Sequence, residues 1–191
     1  MMRNAGFVLV GGKSTRMGQD KALLPWHSQR LVEKVASTVA AVTGSVTLVG
    51  HPERYGSLGI FCLADRRPEL GPLAGIEAAL EAAQGEWNLI VGCDMPDINV
   101  DALRGLLDQA DRTHASCVAV RDIAGQIHPL CAAYHVQCLP TITRSLDEGR
   151  LKLMNVLQEL QAEYFPVPME LTNINTPEDW LRWQGRSPNE I

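Results

Sequence analysis

A short apolar run, residues 7–10 (FVLV), leads directly into a segment rich in glycine and basic side chains, residues 11–21 (GGKSTRMGQDK). Its three glycines lack a Cβ atom, so the backbone can adopt positive φ angles and direct successive N–H groups at one anion. Its arginine adds charge as a planar fork, and its second lysine adds a point charge. The pattern predicts a β-strand followed by a loop that binds nucleotide phosphates. The residues expected to do so are Gly11, Gly12, Gly18, Arg16 and Lys21.

Two other phosphate loops fit this segment badly. The G-x-G-x-x-G fingerprint of dinucleotide-binding proteins needs a spacing that Gly11, Gly12 and Gly18 do not supply. The Walker pattern would need its first glycine at Phe7, inside the strand that should precede the loop. A solvated glycine-rich turn with a basic flank is the alternative that is left open.

The run from Leu9 to Leu24 resembles the signature L-A-G-G-x-S-x-R-M-G-x-D-K-A-L-L of the molybdenum cofactor guanylyltransferases, a branch of the nucleotidyltransferases with a Rossmann-like sheet. The one departure is Val10, where the family usually has alanine. Lys21 occupies the D-K position of the signature, whereas Lys13 falls at a variable one. The resemblance implies an α/β protein, a single nucleotidyltransferase domain over residues 1–191, with a three-layer Rossmann-like fold and a mainly parallel sheet.

Apolar runs of strand length alternate with stretches of helical periodicity along the chain, which is the pattern of βαβ units around a mainly parallel sheet. Residues 87–92 are nearly all apolar, as in a central strand covered on both faces. Thr176 and Pro177 predict the start of a terminal helix, on which Trp180 and Trp183 share one face and pack into a core. Further strands are predicted at residues 46–49, 60–63, 116–120 and 130–134, and further helices around residues 31–39, 72–80 and 103–110 and on either side of Gly149.

Composition narrows the class of protein. A chain of 191 residues with 46% hydrophobic residues can bury one α/β core. The net charge of -5 and the isoelectric point near 5.5 argue against a nucleic-acid surface. The five cysteines form no C-x-x-C pair, which argues against a disulfide framework or a zinc site and favours a reducing compartment. The first apolar run is too short for a signal peptide or a membrane span. We therefore expect a soluble, cytoplasmic protein that binds neither nucleic acid nor membrane.

Asp94 directly follows the apolar central strand, and open α/β sheets bind ligands at the carboxyl ends of their strands. Mg²⁺ is the natural partner, because nucleotide sites often hold it with one or two carboxylates plus substrate phosphates. A turn-forming role before Pro96 is the alternative. The resemblance implies that Asp94 is the metal ligand, since it matches the aspartate of the family's C-D-x-P segment. Cys93 beside it is expected to be a small packed residue.

Asp65 ends the third predicted strand, and residues 71–75 (GPLAG) open the next helix with free backbone N–H groups. The alternatives are a surface ion pair with Arg66 or Arg67, or a turn, for the aspartate, and an N1 proline with tight packing for the loop. Both segments match the family, which implies nucleotide contacts from each. The expected nucleotide-binding residues are Leu9, Val10, Gly11, Gly12, Lys21, Asp65, Gly71, Pro72, Leu73 and Asp94, and the expected catalytic residues are Arg16, Lys21 and Asp94.

The acceptor side gives weaker signals. Residues 173–179 (NINTPED) resemble the family's C-terminal N-x-N-T-P-E-D segment, and alternate amides on an extended segment can face one polar pocket. Helix capping explains the asparagines almost as well, and a solvated helix end explains the nearby cations. The expected acceptor-binding residues are Asn173, Asn175, Arg150 and Lys152. After the second strand the family commonly has an asparagine, whereas this chain has Gly50 and His51, so that contact cannot be carried over.

The resemblance implies guanylyl transfer from GTP to molybdopterin-bound molybdenum, with Mg²⁺, and transient contact with proteins that deliver or receive the cofactor. Residue spacing alone predicts only a site for a nucleoside triphosphate. One rival is cytidylyl transfer, to the same pterin or to an alcohol phosphate, on the same fold. The other rival is a nucleotide-binding module without catalysis, against which Arg16, Lys21 and Asp94 together argue.

Overall fold

The computed structural model describes residues 4–11 and 17–185. Within these residues the strands are β1 (Asn4–Leu9), β2 (Pro25–Trp26), β3 (Gln29–Arg30), β4 (Thr47–Gly50), β5 (Cys62–Ala64), β6 (Trp87–Gly92), β7 (Cys117–Arg121), β8 (Ile127–His135) and β9 (Glu163–Pro166). The helices are α1 (Leu31–Thr43), α2 (Pro52–Tyr55), α3 (Pro72–Ala82), α4 (Val100–Ala110), α5 (Leu139–Asp147), α6 (Leu153–Glu159) and α7 (Pro177–Gln184).

One sheet of seven strands organises the fold, in the order β5-β4-β1-β6-β8-β7-β9. All of its strands run in one direction except β8, which is antiparallel to both of its neighbours. The central pair, β1 and β6, is in register from Asn4 opposite Trp87 to Leu9 opposite Gly92. Every residue of β6 is buried, as a strand covered on both faces requires. The predicted α/β class and mainly parallel sheet are confirmed.

Helices cover both faces of the sheet. Successive side chains of a strand point to opposite faces, so Val8 and Val91 pack with α1 and α4 on one side. Phe7 and Ile90 pack with α3, α5 and α6 on the other side. The predicted three-layer arrangement follows from this alternation.

The terminal helix α7 closes a third, smaller core. Thr176 caps it by accepting a hydrogen bond from the Asp179 backbone N–H at 3.1 Å, and the Asp179 carboxylate accepts one in return from the Thr176 N–H at 2.9 Å. The rings of Trp180 and Trp183 stack with centroids 5.5 Å apart, and the Trp183 ring lies 4.1 Å from that of Trp26. The prediction that both tryptophans pack into a core is confirmed. The buried members of this cluster are Met17, Leu24, Leu31, Ile174, Trp180 and Trp183.

The structure differs from the prediction in the bounds and the number of the strands. The strand predicted at residues 60–63 is β5, which begins two residues later, at Cys62, because Gly59 at φ 68° ends the preceding turn and Phe61 is exposed. β8 begins at Ile127, three residues earlier than predicted, since it pairs with β7 directly after a tight turn. The hairpin β2-β3 and strand β9 were not predicted, because two to four residues carry too little periodicity.

Two further findings concern the class of protein. All five cysteines are free thiols. None of the helices in the described part of the chain is long and apolar enough to cross a bilayer. The expectation that residues 1–191 form a single domain stays a prediction.

Candidate active site

A cleft of about 230 Å³ opens where β1, β4, β5 and β6 end. Open parallel sheets bind ligands at this edge. The start of α3 also contributes to the wall. This first cleft is lined by Leu9, Val10, Gly11, Lys21, Val49, Gly50, His51, Asp65, Gly71, Pro72, Gly75, Gly92, Cys93, Asp94 and Leu130.

Glycine backbone shapes two parts of the first cleft. Gly11 has a φ of 110°, and Gly71 combines φ 75° with ψ -162°. Residues with a Cβ rarely adopt either conformation. Gly71 directly precedes Pro72, the first residue of α3, so the start of this helix lies beside the cleft. Pro72 has no N–H, and the Ala74 N–H donates to the Gly71 carbonyl at 3.1 Å.

Lys21 and Asp94 meet at the β6 side of the first cleft. The Lys21 Nζ donates to Asp94 Oδ2 at 2.7 Å and to Asn175 Oδ1 at 3.1 Å. The Lys21 and Asp94 side chains are only 16% and 15% exposed, so the pair is largely shielded from water. The Ile174 backbone N–H donates to the Asp94 carbonyl at 2.9 Å, which holds the C-terminal segment against the turn after β6. A cation, a carboxylate and an amide are therefore assembled from three distant parts of the sequence.

Asp20 fixes the backbone that carries Lys21. Its Oδ1 accepts from the Ala22 N–H at 3.1 Å and caps the single 3₁₀ turn Lys21–Leu23. Its Oδ2 accepts from the hydroxyl of the buried Tyr55 at 2.7 Å and from Arg54 Nη1 at 3.3 Å. Burial, together with the hydrogen bond to Asp20, raises the pKa of Tyr55, which keeps the hydroxyl protonated as a donor. Sequence reasoning did not assign this role to Asp20.

Asp65 lies at the far side of the first cleft, directly after β5. Burial raises the pKa of its carboxyl, whereas a hydrogen bond from the Arg67 backbone N–H at 2.8 Å and the nearby His51 both lower it. The Arg67 guanidinium pairs with the buried Glu77 at 3.2 Å and with Asp147 at 2.6 Å. Of the two alternatives to a ligand role, the ion pair of Asp65 with a neighbouring arginine is not formed, because Arg66 pairs with Glu81 and Arg67 is turned towards α3 and α5. The turn is formed, since Asp65 accepts from the Arg67 backbone N–H.

A second cleft of about 220 Å³ adjoins the first, and Asp94 lines both. It lies between the first residues of β8 and the C-terminal segment, which contributes Asn173 and Asn175. The prediction that alternate asparagines face one polar pocket agrees with this geometry. The second cleft is lined by Asp94, Met95, Gln126, Ile127, His128, Pro129, Leu130, Leu153, Asn173 and Asn175.

Two buried carboxylates hold the walls of the second cleft. Asp97 accepts from the Trp183 indole N–H and, at 3.0 Å, from the Thr172 N–H, so it ties the C-terminal segment to the turn after β6. Asp122 contacts His128 Nε2 at 3.0 Å and accepts from the Gln126 N–H at 2.8 Å across the tight turn between β7 and β8. Burial would raise the pKa of Asp122, but the hydrogen bonds outweigh it and keep the pKa below its usual value.

The two expected acceptor cations do not line either cleft. The Arg150 guanidinium is tied into surface ion pairs with Glu148 and Glu159. Lys152 is exposed and precedes α6, and its neighbour Leu153 lines the second cleft. A role for either cation in binding the acceptor stays a prediction.

Eight of the ten expected nucleotide-binding residues line the first cleft. Gly12 and the expected catalytic Arg16 lie outside the described residues. Leu73 is fully buried in the core, so it could contact a ligand only through its backbone. Cys93 is packed as expected, and burial raises the pKa of its thiol to about 12.

Gln126 and His128 line the second cleft and were not predicted from the sequence. They flank the start of β8 after the turn of Asp122–Gln126, in which Gly125 has a φ of 84°. The available signal was the Asp-x-x-Gly sequence of residues 122–125, which is typical of a tight turn between strands. Within residues 4–11 and 17–185, no group of three or more His, Cys, Asp or Glu side chains is arranged to hold a metal ion.

Comparison with known proteins identifies the family of this chain. The model of the MobA-like NTP transferase domain matches residues 6–163. The chain belongs to this family. It is 34% identical over 187 residues to a probable molybdenum cofactor guanylyltransferase of Carboxydothermus hydrogenoformans, an alignment that covers 91% of each chain.

Solved structures extend the comparison to the fold. The molybdopterin-guanine dinucleotide biosynthesis protein A of Archaeoglobus fulgidus superposes with a TM-score of 0.79 at 23% identity, over 93% of this chain and 95% of that one. A Mycobacterium tuberculosis protein crystallised in complex with manganese superposes with a TM-score of 0.72 at 16% identity, over 95% of this chain and 97% of that one. At these identities the likeness concerns the fold, and it agrees with a nucleotidyltransferase architecture.

Proposed function

We propose that this chain transfers GMP from GTP to the terminal phosphate of molybdopterin-bound molybdenum, which forms molybdopterin guanine dinucleotide and pyrophosphate. The observation that carries the proposal is that two clefts meet at one carboxylate, Asp94. A group transfer between two small molecules needs each of them held on its own side of the reacting atom. Family membership and the names of the close relatives supply the identity of the donor and the acceptor.

The first cleft suits the nucleotide. Gly11 and the start of α3 offer backbone N–H groups to phosphate or ribose oxygens. Lys21 stands where negative charge would grow on the departing pyrophosphate. The acceptor phosphate would approach from the second cleft, between Asn173 and Asn175, and attack the α-phosphorus in line. The bond to the new oxygen forms as the bond to pyrophosphate breaks, so no covalent intermediate with the protein is needed.

Mg²⁺ fits the donor set at the junction. Asp94 offers hard carboxylate oxygens, which Mg²⁺ prefers together with phosphate oxygens and water. The bound ion would supply charge neutralisation on the phosphates, while Lys21, which is itself held by Asn175, orients the Asp94 carboxylate. The manganese complex of the Mycobacterium tuberculosis relative supports a divalent cation in this fold.

Two rivals are weighed against guanylyl transfer. Cytidylyl transfer would use the same clefts, and the glycine pair at Gly11 and the complete G-P-L-A-G loop favour the guanylyl branch. A non-catalytic module would not need a shielded Lys21–Asp94 pair at the meeting point of two clefts. Contact with proteins that deliver or receive the cofactor, and a cytoplasmic location, belong to the same proposal.

A direct assay tests the proposal. Purified protein is incubated with Mg²⁺, molybdenum cofactor and either GTP or CTP, and the dinucleotide product and pyrophosphate are both measured. Asp94→Asn keeps the shape of the side chain but removes the charge, so it serves as the matched inactive control. We expect turnover with GTP, none with Asp94→Asn, and loss of turnover when Mg²⁺ is chelated. Faster turnover with CTP would transfer the assignment to the cytidylyl branch, and no turnover with either nucleotide would refute catalysis.

A further inference from the structure

His51 has a side chain that the fold leaves uncommitted. It lies at the end of β4, lines the first cleft and is exposed. Its backbone carbonyl accepts the Arg54 and Tyr55 N–H groups at the start of α2, but its side chain makes no capping hydrogen bond. No described residue forms a hydrogen bond with its imidazole. A structural task therefore does not explain this side chain, and it is available to a ligand.

Asp65 is the neighbour of His51 at the end of the adjacent strand, β5. The pairing of β4 with β5 ends with Gly50 opposite Ala64, so His51 and Asp65 are the next residues on adjacent strand ends. The Asp65 N–H donates to the Gly50 carbonyl at 3.2 Å, which keeps the two ends together. The Asp65 Oδ1 accepts from the Arg67 N–H, and no described residue donates to Oδ2. A hydrogen-bond donor and a carboxylate acceptor thus stand side by side in the cleft wall.

Position 50 cannot supply a side chain in this backbone. A Cβ on Gly50 would meet the Val10 carbonyl oxygen well inside van der Waals contact and the Val10 Cγ2 atom at 2.8 Å. The Val10 N–H donates to the Val49 carbonyl at 2.9 Å, which presses this part of the phosphate loop onto β4. Because Val49, the other lining residue with a side chain here, is apolar, a polar side-chain contact from the end of β4 must come from His51. Val10, the one departure from the family signature, therefore fills the space that a side chain at position 50 would need.

The location of the pair indicates which part of a nucleotide it meets. Asp94 follows β6, and Asp65 follows β5, three strand positions away in the order β5-β4-β1-β6. At about 4.8 Å per strand this separation is about 14 Å. Phosphates held at Lys21 and Asp94 would leave the base at the β4 and β5 end of the cleft.

We propose that His51 is a specificity-determining residue that, paired with Asp65, recognises the guanine base. This inference rests on the proposed function. Guanine carries, in sequence along one edge, the acceptor O6, the donor N1–H and the donor 2-amino group. An imidazole N–H suits O6, and the Asp65 carboxylate suits the two donors. Adenine and cytosine carry an amino donor where guanine has O6, and an acceptor nitrogen where guanine has N1–H. With either base, the His51 N–H would face a donor and the Asp65 carboxylate would face an acceptor.

Calorimetric titration with nucleotide analogues and Mg²⁺ separates the two contacts. In 6-thio-GTP sulfur, a weak acceptor, replaces O6, and ITP lacks the 2-amino group. We expect the native protein to bind GTP about tenfold more tightly than 6-thio-GTP. His51→Ala should bind both with similar, weakened affinity, and its ratio of GTP to ITP affinity should be unchanged. His51→Asn, which keeps an N–H donor, should restore part of the GTP affinity.

His114→Ala is the matched control, because His114 is exposed and precedes β7, which lies four strands away from β4 in the sheet. Its affinities should equal those of the native protein, and melting temperatures check that every variant is folded. If the native protein binds ATP or CTP as tightly as GTP, the proposed guanylyl transfer itself fails. If the native protein prefers GTP and His51→Ala keeps the same preference, the role of His51 alone is refuted. The same holds if the variant binds GTP, ATP and CTP more weakly by the same factor.

Discussion

Replacing Lys21 by methionine tests the catalytic centre most directly. Methionine keeps much of the length of the lysine stem and removes its charge. The ammonium is held at 2.7 Å from Asp94 and 3.1 Å from Asn175 before any substrate binds, so it is preorganised for charge on the leaving pyrophosphate. Removal of one preorganised donor of this kind costs about 100-fold to 1,000-fold in rate, or about 3 to 4 kcal/mol.

The same substitution should affect stability only modestly. Surface ion pairs contribute about 0 to 1 kcal/mol, and breaking a fully buried pair costs about 3 to 5 kcal/mol. Both side chains are about 15% exposed and Asp94 keeps access to water, so we expect a loss on the order of 1 to 2 kcal/mol. Rates should therefore be measured well below the melting temperature of the variant.

Single-turnover rates of pyrophosphate release at saturating GTP and cofactor separate chemistry from binding. Lys13→Met is the matched control, because Lys13 belongs to the same segment but falls at a variable position of the signature. We expect the single-turnover rate constant to fall on the order of 100-fold for Lys21→Met and to change little for Lys13→Met. Equal losses, or a larger loss at Lys13, would show that the loop has been aligned wrongly against the triphosphate.

Further predictions concern the scaffold. A Cβ on Gly6 would lie 2.9 Å from the Ser45 carbonyl oxygen, so Gly6→Ala should lower the free energy of unfolding by about 1 to 3 kcal/mol in urea titrations. Gly56→Ala, at an ordinary φ with open space around it, should be neutral or slightly stabilising, and an equal loss there would refute the steric argument. The lowered pKa of Asp122 means that its ionised form stabilises the fold above the unfolded pKa of about 3.9, and that this contribution disappears as pH falls through the folded pKa. Asp122→Asn, which weakens the contact with His128, should therefore melt earlier than the native protein at pH 7, and the difference should narrow towards pH 3; a constant difference would contradict it.

Local patterns were enough to predict the first cleft. Strand ends are where a parallel sheet binds ligands, and each strand end here is marked by a glycine or a carboxylate in the sequence. Leu9 to Gly11, Asp65 and Asp94 could therefore be assigned to one edge before the structure was known. The sheet brings them together because β5, β4, β1 and β6 are adjacent and parallel.

The second cleft could be predicted only in part, because its walls depend on long-range contacts. The extended C-terminal segment predicted that Asn173 and Asn175 face one pocket. Nothing local to Asn175 indicates that its amide meets Lys21, 154 positions earlier. Nothing local to Asp97 indicates that it holds Thr172 and the Trp183 indole. Such contacts follow from the packing of the terminal helix. Hydrophobic periodicity predicts that helix, but it does not predict which residues the helix packs against.

The proposed reaction centre is therefore assembled by two different means, and Lys21 takes part in both. On one side Lys21 is positioned by its own turn, since Asp20 caps that turn and is itself held by Tyr55. On the other side the Lys21 ammonium is shared between Asp94, at the end of the central strand, and Asn175, on the C-terminal segment. Because Ile174 is buried in the core beneath α7 and its N–H donates to the Asp94 carbonyl, the proposed acceptor side cannot shift without moving Asp94, the proposed metal ligand. Loosening α7 should thus impair catalysis as well as acceptor binding.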